Sequence, residues 1–571
     1  MHPLLAILLA GAAQIDVTPT WFPVIVNCFF LERQTSEVHS PIYAKAIVLQ
    51  QGNLKTAIVV VDSCMMPREL LDEAKAIAAK ATGIPAHRQL ISATHTHMAP
   101  AAMSCLGSDA DARYVKWLPA KIAEAIIAAN NRLEPALLGS ASIQDTEHTF
   151  GRRFIYRPDK MLTDPFGNKT VRANMHPGYT NNDAIGPSGP ADHTLTLLAI
   201  QSKSGKPIAL LANYSMHYFN SKPISSDYFG VFASQFQQRI KAPQDYVTIL
   251  SQGTSGDLMF MDYSKPQQKD LTIETYTQGL VDSVEKAYKT IAHKANAKLN
   301  MLETEQSFNR RRPNAERLEW ANNILKTMGD RKPSNQPEVY AREQLLIEAQ
   351  PTRNLKLQAI QIGDLAIAAW PSEVFAISGL KLRKHNPFQQ LMNITLANGA
   401  EGYIPPPEQH VLGGYTTWPA RTAGLEVQAE PRIVKELSQL LTKLDPKRKP
   451  PVQTHTKNHW PLDDLEANKD LTIEGLHAFA VPGRTGTTSK ALYLAGASLT
   501  LNKSAKTYKL HFWILPALTT REWTHVTIEQ TATTRRTLTG GQLTSETKPT
   551  PTPTMKLLDN FEGTVADLHL R

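Results

Sequence analysis

The sequence predicts a large α/β (α+β) domain, in which mixed β-sheets are flanked by helices, followed by a smaller all-β sandwich. Apolar strand-like runs and amphipathic helix-like runs alternate through the first two thirds of the chain, which is typical of an α/β core. After residue 470 only short strand-like runs occur, as in a β-sandwich. A chain of 571 residues is also longer than a single hydrophobic core normally supports.

The predicted elements of the first domain follow from periodicity and turn residues. In chain order they are a hairpin over 43–62, a helix over 68–82 ending near Gly83, a strand over 90–97, a helix over 115–130, a hairpin over 195–215, a helical stretch over 313–350 beginning at Pro313, strands over 357–370 and a helix over 374–384. Residues 146–192 are rich in Gly, Pro, Asn and Asp and predict a long irregular excursion, a kind of segment that often carries function in enzymes.

Composition shifts divide the chain into four parts. Residues 1–13 (MHPLLAILLAGAA) combine an apolar run with small residues and predict a signal peptide, the alternative being a buried first strand. A signal peptide implies an extracytoplasmic location, secreted or periplasmic. The main domain is predicted over 14–443, a linker rich in Lys, Pro, Asp and Asn over 444–470, and the β-sandwich over 471–571.

Charge and cysteine content exclude several classes of protein. The net charge is +9, from 61 Lys and Arg against 52 Asp and Glu, but the basic clusters are short and no nucleic-acid-binding motif accompanies them. We therefore predict no nucleic-acid partner. Three cysteines exclude a disulfide-rich scaffold and a four-cysteine metal site. The sequence contains no run of about 18 apolar residues, so it predicts no membrane-spanning helix.

A histidine pair lies at the end of the strand-like run LISATHTH at 90–97. His95 and His97 are two residues apart, and residues i and i+2 of a strand point to the same face. Two adjacent imidazoles suit Zn²⁺ or a similar ion. Such pairs also occur by chance, and hydrogen-bonded core histidines are the alternative.

Further candidate residues lie after predicted strands or in turns and loops, and the carboxyl end of a buried strand is where α/β proteins commonly place their sites. They are His217 in NYSMHYFN, Asp257 after Gly253 and Gly256 in SQGTSGDLMF, Glu373 in WPSEVF, and Tyr403 and Tyr415, twelve residues apart in a loop rich in Gly and Pro. Taken singly, each has a structural alternative: a strand-edge histidine, an Asx turn, a helix cap or a packing aromatic.

Together, and in this order, these segments resemble motifs of the neutral/alkaline (non-lysosomal) ceramidase family. ATHTHMAP resembles its THTHSGP motif, FGRRF its NRS motif, NYSMH its second histidine strand, SGDLMF its GDVSPN turn, WPSEVF its P-x-E segment, and GYIPP…GGY its YVTT…Y loop. The opening AQIDVTPT resembles the family's entry strand, so the islands of similarity span residues 13–440. An ordered set of motifs is far more specific than any one of them.

The resemblance implies a zinc site and roles for eight residues. Zn²⁺ is held by His95, His217, Glu373 and Tyr403; the catalytic group is His97, Arg152 and Asp257, with Asp257 orienting a ligand or the turn; and Tyr415 binds substrate. The implied fold is a catalytic domain of mixed sheets flanked by helices, followed by an immunoglobulin-like β-sandwich.

The implied activity is that of a secreted, zinc-dependent amidohydrolase. It cleaves the amide bond of an N-acyl, ceramide-like sphingolipid by attack of a metal-bound water, with Arg152 and His97 stabilising the oxyanion. The substrate is thus a small-molecule or lipid-like N-acyl compound. Peripheral membrane contact through Trp370, Trp418 and the FWILPA run (512–517) is a further hypothesis, with core packing as its alternative.

The sequence also departs from the family pattern. Met259 stands at the position of the family's serine, Phe260 at that of its proline, and Met98 follows the histidine pair in place of serine. These departures leave two alternatives open: a zinc esterase or lactonase on the same scaffold, or a non-catalytic envelope or carbohydrate-binding protein. The joint presence of four ligand positions and Arg152 argues against the second.

Overall fold

The computed structural model describes residues 7–26, 29–295, 297–451, 458–503, 505–518, 522–549 and 554–570, with backbone only at 486–489. The helices are α1 (Arg68–Thr82), α2 (Ala112–Asn130), α3 (Asp227–Arg239), α4 (Ile273–Tyr288), α5 (Ala315–Met328), α6 (Gln336–Ala349), α7 (Ala376–Lys384), α8 (Pro407–Leu412) and α9 (Ala429–Leu444). The strands before residue 451 are β1 (Leu8–Asp16), β2 (Val24–Val26), β3 (Arg33–Thr35), β4 (Tyr43–Gln51), β5 (Leu54–Val61), β6 (Gln89–Ala93), β7 (Glu134–Gln144), β8 (Phe150–Gly151), β9 (Arg153–Tyr156), β10 (Ala173–Met175), β11 (Ala184–Pro187), β12 (Thr194–Ser202), β13 (Pro207–Tyr214), β14 (Val247–Gln252), β15 (Leu258–Met259), β16 (Leu299–Asn309), β17 (Thr352–Ile362), β18 (Leu365–Ala369), β19 (Glu373–Val374), β20 (Gln390–Ile394) and β21 (Tyr403–Ile404).

Two mixed sheets are stacked at the centre of this part. The first has eight strands in the order β14-β13-β12-β7-β1-β4-β5-β6, and the second has four in the order β16-β17-β18-β20. One apolar core lies between them, with Ile47 and Leu198 from the first sheet and Ile360 and Ile367 from the second. Most neighbouring strands are antiparallel, but β5–β6, β13–β14 and β18–β20 are parallel.

Helices cover the outer faces of both sheets. Apolar residues of α1 and α2, such as Leu71 and Ile122, pack on one half of the first sheet, and α3 and α4 cover the other half. On the far side, α7 and α9 cover the second sheet. The layers are therefore helix, sheet, sheet, helix, which confirms the predicted mixed α/β architecture.

Local signals placed several elements correctly. The hairpin over 43–62 turns at Gly52 (φ 57°), and α1 ends at Gly83, whose φ of 70° requires the left-handed conformation that glycine adopts easily. The helical stretch over 313–350 is two helices, α5 and α6. Asn314, not Pro313, begins the first, because its side chain accepts a hydrogen bond from the Arg317 N–H at 2.9 Å.

The segment predicted as a signal peptide contains part of a strand in this structure, and its cleavage stays a prediction. Leu8–Ala13 are part of β1, which pairs with β4 along its whole length and with β7 at Leu9 and Ala10. Removal of residues 1–13 would take six of the nine residues of a central strand. The buried-strand alternative holds for Leu8–Ala13, while residues 1–6 lie outside the described residues.

The described residues after 458 form strands. They are β22 (His459–Trp460), β23 (Leu471–Gly483), β24 (Gly486–Leu501), β25 (Tyr508–Pro516), β26 (Thr524–Gln530), β27 (Arg535–Thr539), β28 (Gln542–Thr547) and β29 (Met555–Leu570). They form one antiparallel sheet in the order β23-β24-β29-β25-β26-β27-β28, with β22 beside β29. This domain therefore starts at β22, inside the predicted linker, and its division into an immunoglobulin-like sandwich stays a prediction.

The apolar core of the β domain is continuous with the larger part. Leu494 and Phe512 belong to the same cluster as Phe375, Ile377 and Tyr403. The β domain thus packs on the segments that follow β18 and β20.

The residues proposed for membrane contact are largely internal. Trp370 and Trp418 are buried, so the core-packing alternative holds for both. Phe512 and Ile514 are buried in the β domain as well, and Trp513 is half-buried. Among the described residues no helix is long and apolar enough to cross a membrane.

Candidate metal centre

The predicted site residues follow the carboxyl ends of five strands. His95 and His97 come after β6, His217 after β13, Asp257 after β14, Glu373 after β18, and Tyr403 after β20. Because β18 and β20 are parallel neighbours, as are β13 and β14, these ends meet at one edge of the two stacked sheets. Tyr415 and Arg152 reach the same place from loops.

Three of the predicted ligands form a compact cluster. His95 Nε2 lies 3.1 Å from His217 Nε2 and 3.2 Å from Glu373 Oε2, and the latter two atoms are 3.7 Å apart. A tetrahedral zinc ion with bonds of about 2.0–2.1 Å separates its ligand atoms by roughly 3.3 Å. The three residues are buried, and Glu373 Oε2 has no hydrogen-bond partner in the described part of the chain. An orphaned carboxylate oxygen facing two imidazole nitrogens fits a metal ion.

Backbone carbonyls set the orientation of both imidazoles. His95 Nδ1 lies 2.9 Å from the carbonyl oxygen of Cys64, and His217 Nδ1 lies 3.2 Å from that of Ser255. A carbonyl only accepts, so each Nδ1 carries the proton and each Nε2 presents its lone pair to the cluster. Burial, and then the positive charge of Arg152, lower the pKa of His217 well below its usual range, which favours the neutral ring that a metal requires.

The local conformation of the histidine pair differs from the prediction. The strand ends at Ala93, and His95 lies in a loop with φ 72°. The alternation argument for His95 and His97 is therefore wrong, although the rings do come together, with Nε2 atoms 3.3 Å apart. His97 stacks on Tyr218, whose ring centroid is 3.8 Å away.

Glu373 and Tyr403 are held side by side by backbone pairing. They are direct register partners in the parallel ladder β19–β21, and the Glu373 N–H donates to the carbonyl of Gly402 at 2.8 Å. The hydroxyls of Tyr403 and Tyr415 lie 3.3 Å apart. The structure thus brings the predicted fourth ligand and the predicted substrate-binding tyrosine to the cluster.

Arg152 is a buried cation aimed at the same point. Its Nη2 lies within hydrogen-bond distance of three acceptors, the carbonyl of Gly256 at 2.9 Å, His217 Nε2 at 3.0 Å and the Tyr403 hydroxyl at 3.2 Å. All three partners are uncharged, and none is a carboxylate. The guanidinium charge is therefore available to an anion that forms beside the cluster.

Asp257 lies behind the cluster rather than in it. Its carboxylate accepts a hydrogen bond from the Ala376 N–H, at the start of α7, at 2.8 Å. This contact fixes the segment that carries Glu373, so the geometry favours the orienting role. Burial raises the pKa of Asp257 to about 6, against the opposing effect of that hydrogen bond and of the neighbouring arginines.

Sequence reasoning missed three residues around Arg152 and His97. They are Tyr218, His176, whose Nε2 lies 3.4 Å from Arg152 Nη1, and Tyr263, whose hydroxyl lies 2.6 Å from His176 Nδ1. His176 belongs to the long irregular excursion, which was the available signal. Met259 and Phe260 are packing residues here: Met259 is buried in the pairing of β15 with β8, and Phe260 stacks on Phe219 at 4.3 Å.

Comparisons with known proteins bear on the fold of the chain. Neither a family model nor a curated protein sequence matches the chain. A crystal structure of neutral ceramidase from Pseudomonas aeruginosa matches with a TM-score of 0.58 and 12% identity, covering 99% of this chain and 92% of that one. A ceramidase complexed with C2 matches with a TM-score of 0.58 and 13% identity, covering 99% and 93%. The chain therefore has the fold of a neutral ceramidase, as the motif order predicted.

Proposed function

We propose that this protein is a zinc-dependent amidohydrolase that cleaves the amide bond of an N-acyl, ceramide-like lipid. The observation that carries the proposal is the buried cluster of His95, His217 and Glu373, with Arg152 and Tyr403 in contact, at the strand ends of a ceramidase fold. Scattered motifs that coincide by chance would have no reason to meet at one point of the structure.

The donor set fits the proposed ion. Two neutral imidazoles and one carboxylate are a common protein ligand set for catalytic zinc, and the Tyr403 hydroxyl is the fourth candidate. When bound there, zinc lowers the pKa of water to about 7 and polarises a carbonyl oxygen. Other divalent transition metals accept the same donors, so metal content must be measured.

The chain's own polar groups supply the rest of the chemistry. When an amide carbonyl becomes tetrahedral, its oxygen gains negative charge. Arg152 lies among the groups that would surround this oxygen, and His97 borders the same cluster. A donor of this kind typically contributes about 2.7–4 kcal/mol to transition-state stabilisation. The stack of Tyr218 on His97 fixes the plane of that imidazole.

An ester or lactone bond is a second candidate for the bond that is cleaved. Met259 occupies the position of the family's serine, so this site lacks a hydroxyl there, and an ester or lactone needs less help with its leaving group than an amide does. We therefore keep a zinc esterase or lactonase as the second candidate. Secretion and peripheral membrane contact stay predictions.

Two measurements test the proposal together. Metal content of the purified protein is measured by mass spectrometry for the wild type and for His217→Ala. Hydrolysis is measured with a fluorogenic N-acyl sphingoid amide and with the matching ester, before and after chelation. We expect amide hydrolysis and zinc at this cluster in the wild type, and the loss of hydrolysis and of this one zinc equivalent in the variant. Ester hydrolysis alone would support the second candidate, and a folded protein that takes up no zinc at this site would overturn both.

A further inference from the structure

A second group of possible metal ligands lies in the β domain. His459 of β22 and His569 of β29 are direct register partners, and Asp567 stands two residues before His569. One ligand atom from each of the three lies within 4.8 Å of the others.

The strand geometry turns all three side chains away from the core. Leu568, between Asp567 and His569, is buried, whereas its two neighbours are half-exposed. Asp567 has a left-handed backbone (φ 54°). Its N–H donates at 3.0 Å to the carbonyl of Pro461, which directly follows the short strand of His459. This irregularity in β29 holds Asp567 beside the short strand that carries His459.

His459 has an unsatisfied ring nitrogen. Its Nε2 atom is buried and has no hydrogen-bond partner among the described residues. A buried polar atom without a partner costs free energy, and a metal ion bound to this nitrogen would offset that cost. Two imidazoles and one carboxylate suit zinc and similar transition metals, whereas Mg²⁺ and Ca²⁺ prefer oxygen ligands.

From this arrangement we infer that His459, Asp567 and His569 form a second metal site, selective for transition metals. The two rings are stacked, with centroids 3.9 Å apart and planes 10° apart. An ion must lie in the plane of each ring that binds it, so one ring has to turn about its Cβ–Cγ bond, which half-exposed positions permit. Arg484 also holds one Asp567 oxygen at 3.6 Å. Both features make this site weaker than the buried cluster around His95.

The experiment separates the two sites by substitution. Zinc binding to the chelator-treated, full-length protein is measured by titration calorimetry and mass spectrometry in the His217→Ala background. His459→Gln, His569→Gln and Asp567→Asn are then added one at a time. His477→Gln, a half-exposed histidine of the same domain, is the matched control. Magnesium serves as the negative probe.

We expect His217→Ala to bind one zinc ion per chain, and either glutamine variant to weaken that binding at least about tenfold. Zinc should raise the melting temperature of His217→Ala, and the glutamine variants should lose this shift. Lack of zinc binding by folded His217→Ala would overturn the inference, as would zinc binding that none of the three substitutions alters. Three independent substitutions keep the test decisive if one of them fails to fold. The wild type shows separately whether the proposed catalytic centre binds zinc, because the zinc ion bound more tightly in the wild type depends on His217.

Discussion

Two histidine pairs, one in each part of the molecule, differ in how well their rings are placed to share one metal ion. The rings of His95 and His217 are nearly perpendicular, at 82°, and their Nε2 atoms meet at 3.1 Å. The rings of His459 and His569 are nearly parallel, at 10°, and face each other across a strand pair. Two perpendicular rings can direct both lone pairs at one point, whereas two stacked rings cannot do so without rotation.

The difference follows from the backbone that carries each pair. His95 and His217 lie in loops beyond strand ends, where a left-handed residue and a carbonyl opposite each Nδ1 fix the ring. His459 and His569 are register partners on two adjacent antiparallel strands, where directly paired side chains run side by side. Loops beyond strand ends can therefore orient ligands in a way that a strand face does not.

The largest expected effect concerns the carboxylate beside each pair. Glu373→Gln should reduce amide hydrolysis by about three orders of magnitude or more, because a neutral amide binds zinc poorly and several kcal/mol of charge stabilisation are lost. Asp567→Asn makes the same change beside the second pair and should leave kcat/KM unchanged. Steady-state kinetics with metal content in parallel measures both, and equal losses would break the comparison.

The next effect concerns the imidazole beside each pair. His97→Ala should retain zinc and lower kcat/KM about 100-fold, since His97 lies next to the cluster as a donor rather than as a ligand. His511 is the register partner of His569 on its other side, and His511→Ala should leave the rate unchanged. Loss of zinc in His97→Ala would make His97 a ligand and not a donor.

The sequence predicted the site better than it predicted the backbone that forms it. His95, His217, Glu373 and Tyr403 do converge, because each follows a strand end and parallel strand ends lie together. The orientation of His95 depends on one left-handed residue, which no side-chain pattern indicates. In FGRRF, two adjacent arginines are chemically equal. Only the fold turns Arg152 to the cluster and Arg153 toward Gln409 and the carbonyl of Gly413.

Two short strands were hard to predict for related reasons. An apolar segment of small residues suits both a signal peptide and a buried strand, and the pairing of β1 with β4 and β7 depends on residues far away in the sequence. Strand β22 is two residues long and too short to show any periodicity. Local sequence patterns therefore do not predict strands such as these, which are defined by pairing with distant residues.

A smaller effect is expected from Tyr415, where the two parts of the molecule can be compared by removing one hydrogen bond from each. Tyr415→Phe removes a contact of 3.3 Å with the Tyr403 hydroxyl and should lower kcat/KM about three- to tenfold, which corresponds to about 0.5–1.5 kcal/mol. In the β domain, Tyr508→Phe removes a contact of the same length to Gln530 and should not alter the rate. Separate kcat and KM values will show whether Tyr415 acts on substrate binding, and a loss above 100-fold would assign it a larger role.

The smallest expected effect on catalysis comes from Asp257, the buried carboxylate behind the first pair. Asp257→Asn keeps an acceptor for the Ala376 N–H, so an orienting role predicts activity within about threefold of the wild type, whereas a proton-transfer role predicts a loss of 100-fold or more. Stability provides an independent test. Because burial raises the pKa of Asp257 from 3.8 to about 6, the folded state binds its proton more tightly than the unfolded state does.

The wild type should therefore lose stability relative to Asp257→Asn as pH rises from about 4 to 6, and the difference should stay constant above that range. The full change is roughly 3 kcal/mol, or a few degrees in melting temperature for a chain of this length. Thermal unfolding of the metal-free proteins at several pH values measures it, and subtraction of the two curves removes every carboxylate that they share. A difference that is independent of pH would mean that Asp257 is ionised in the folded protein throughout. The arginines beside it would then outweigh the effect of its burial, and the carboxylate would stay charged over the whole pH range instead of taking up a proton below about pH 6.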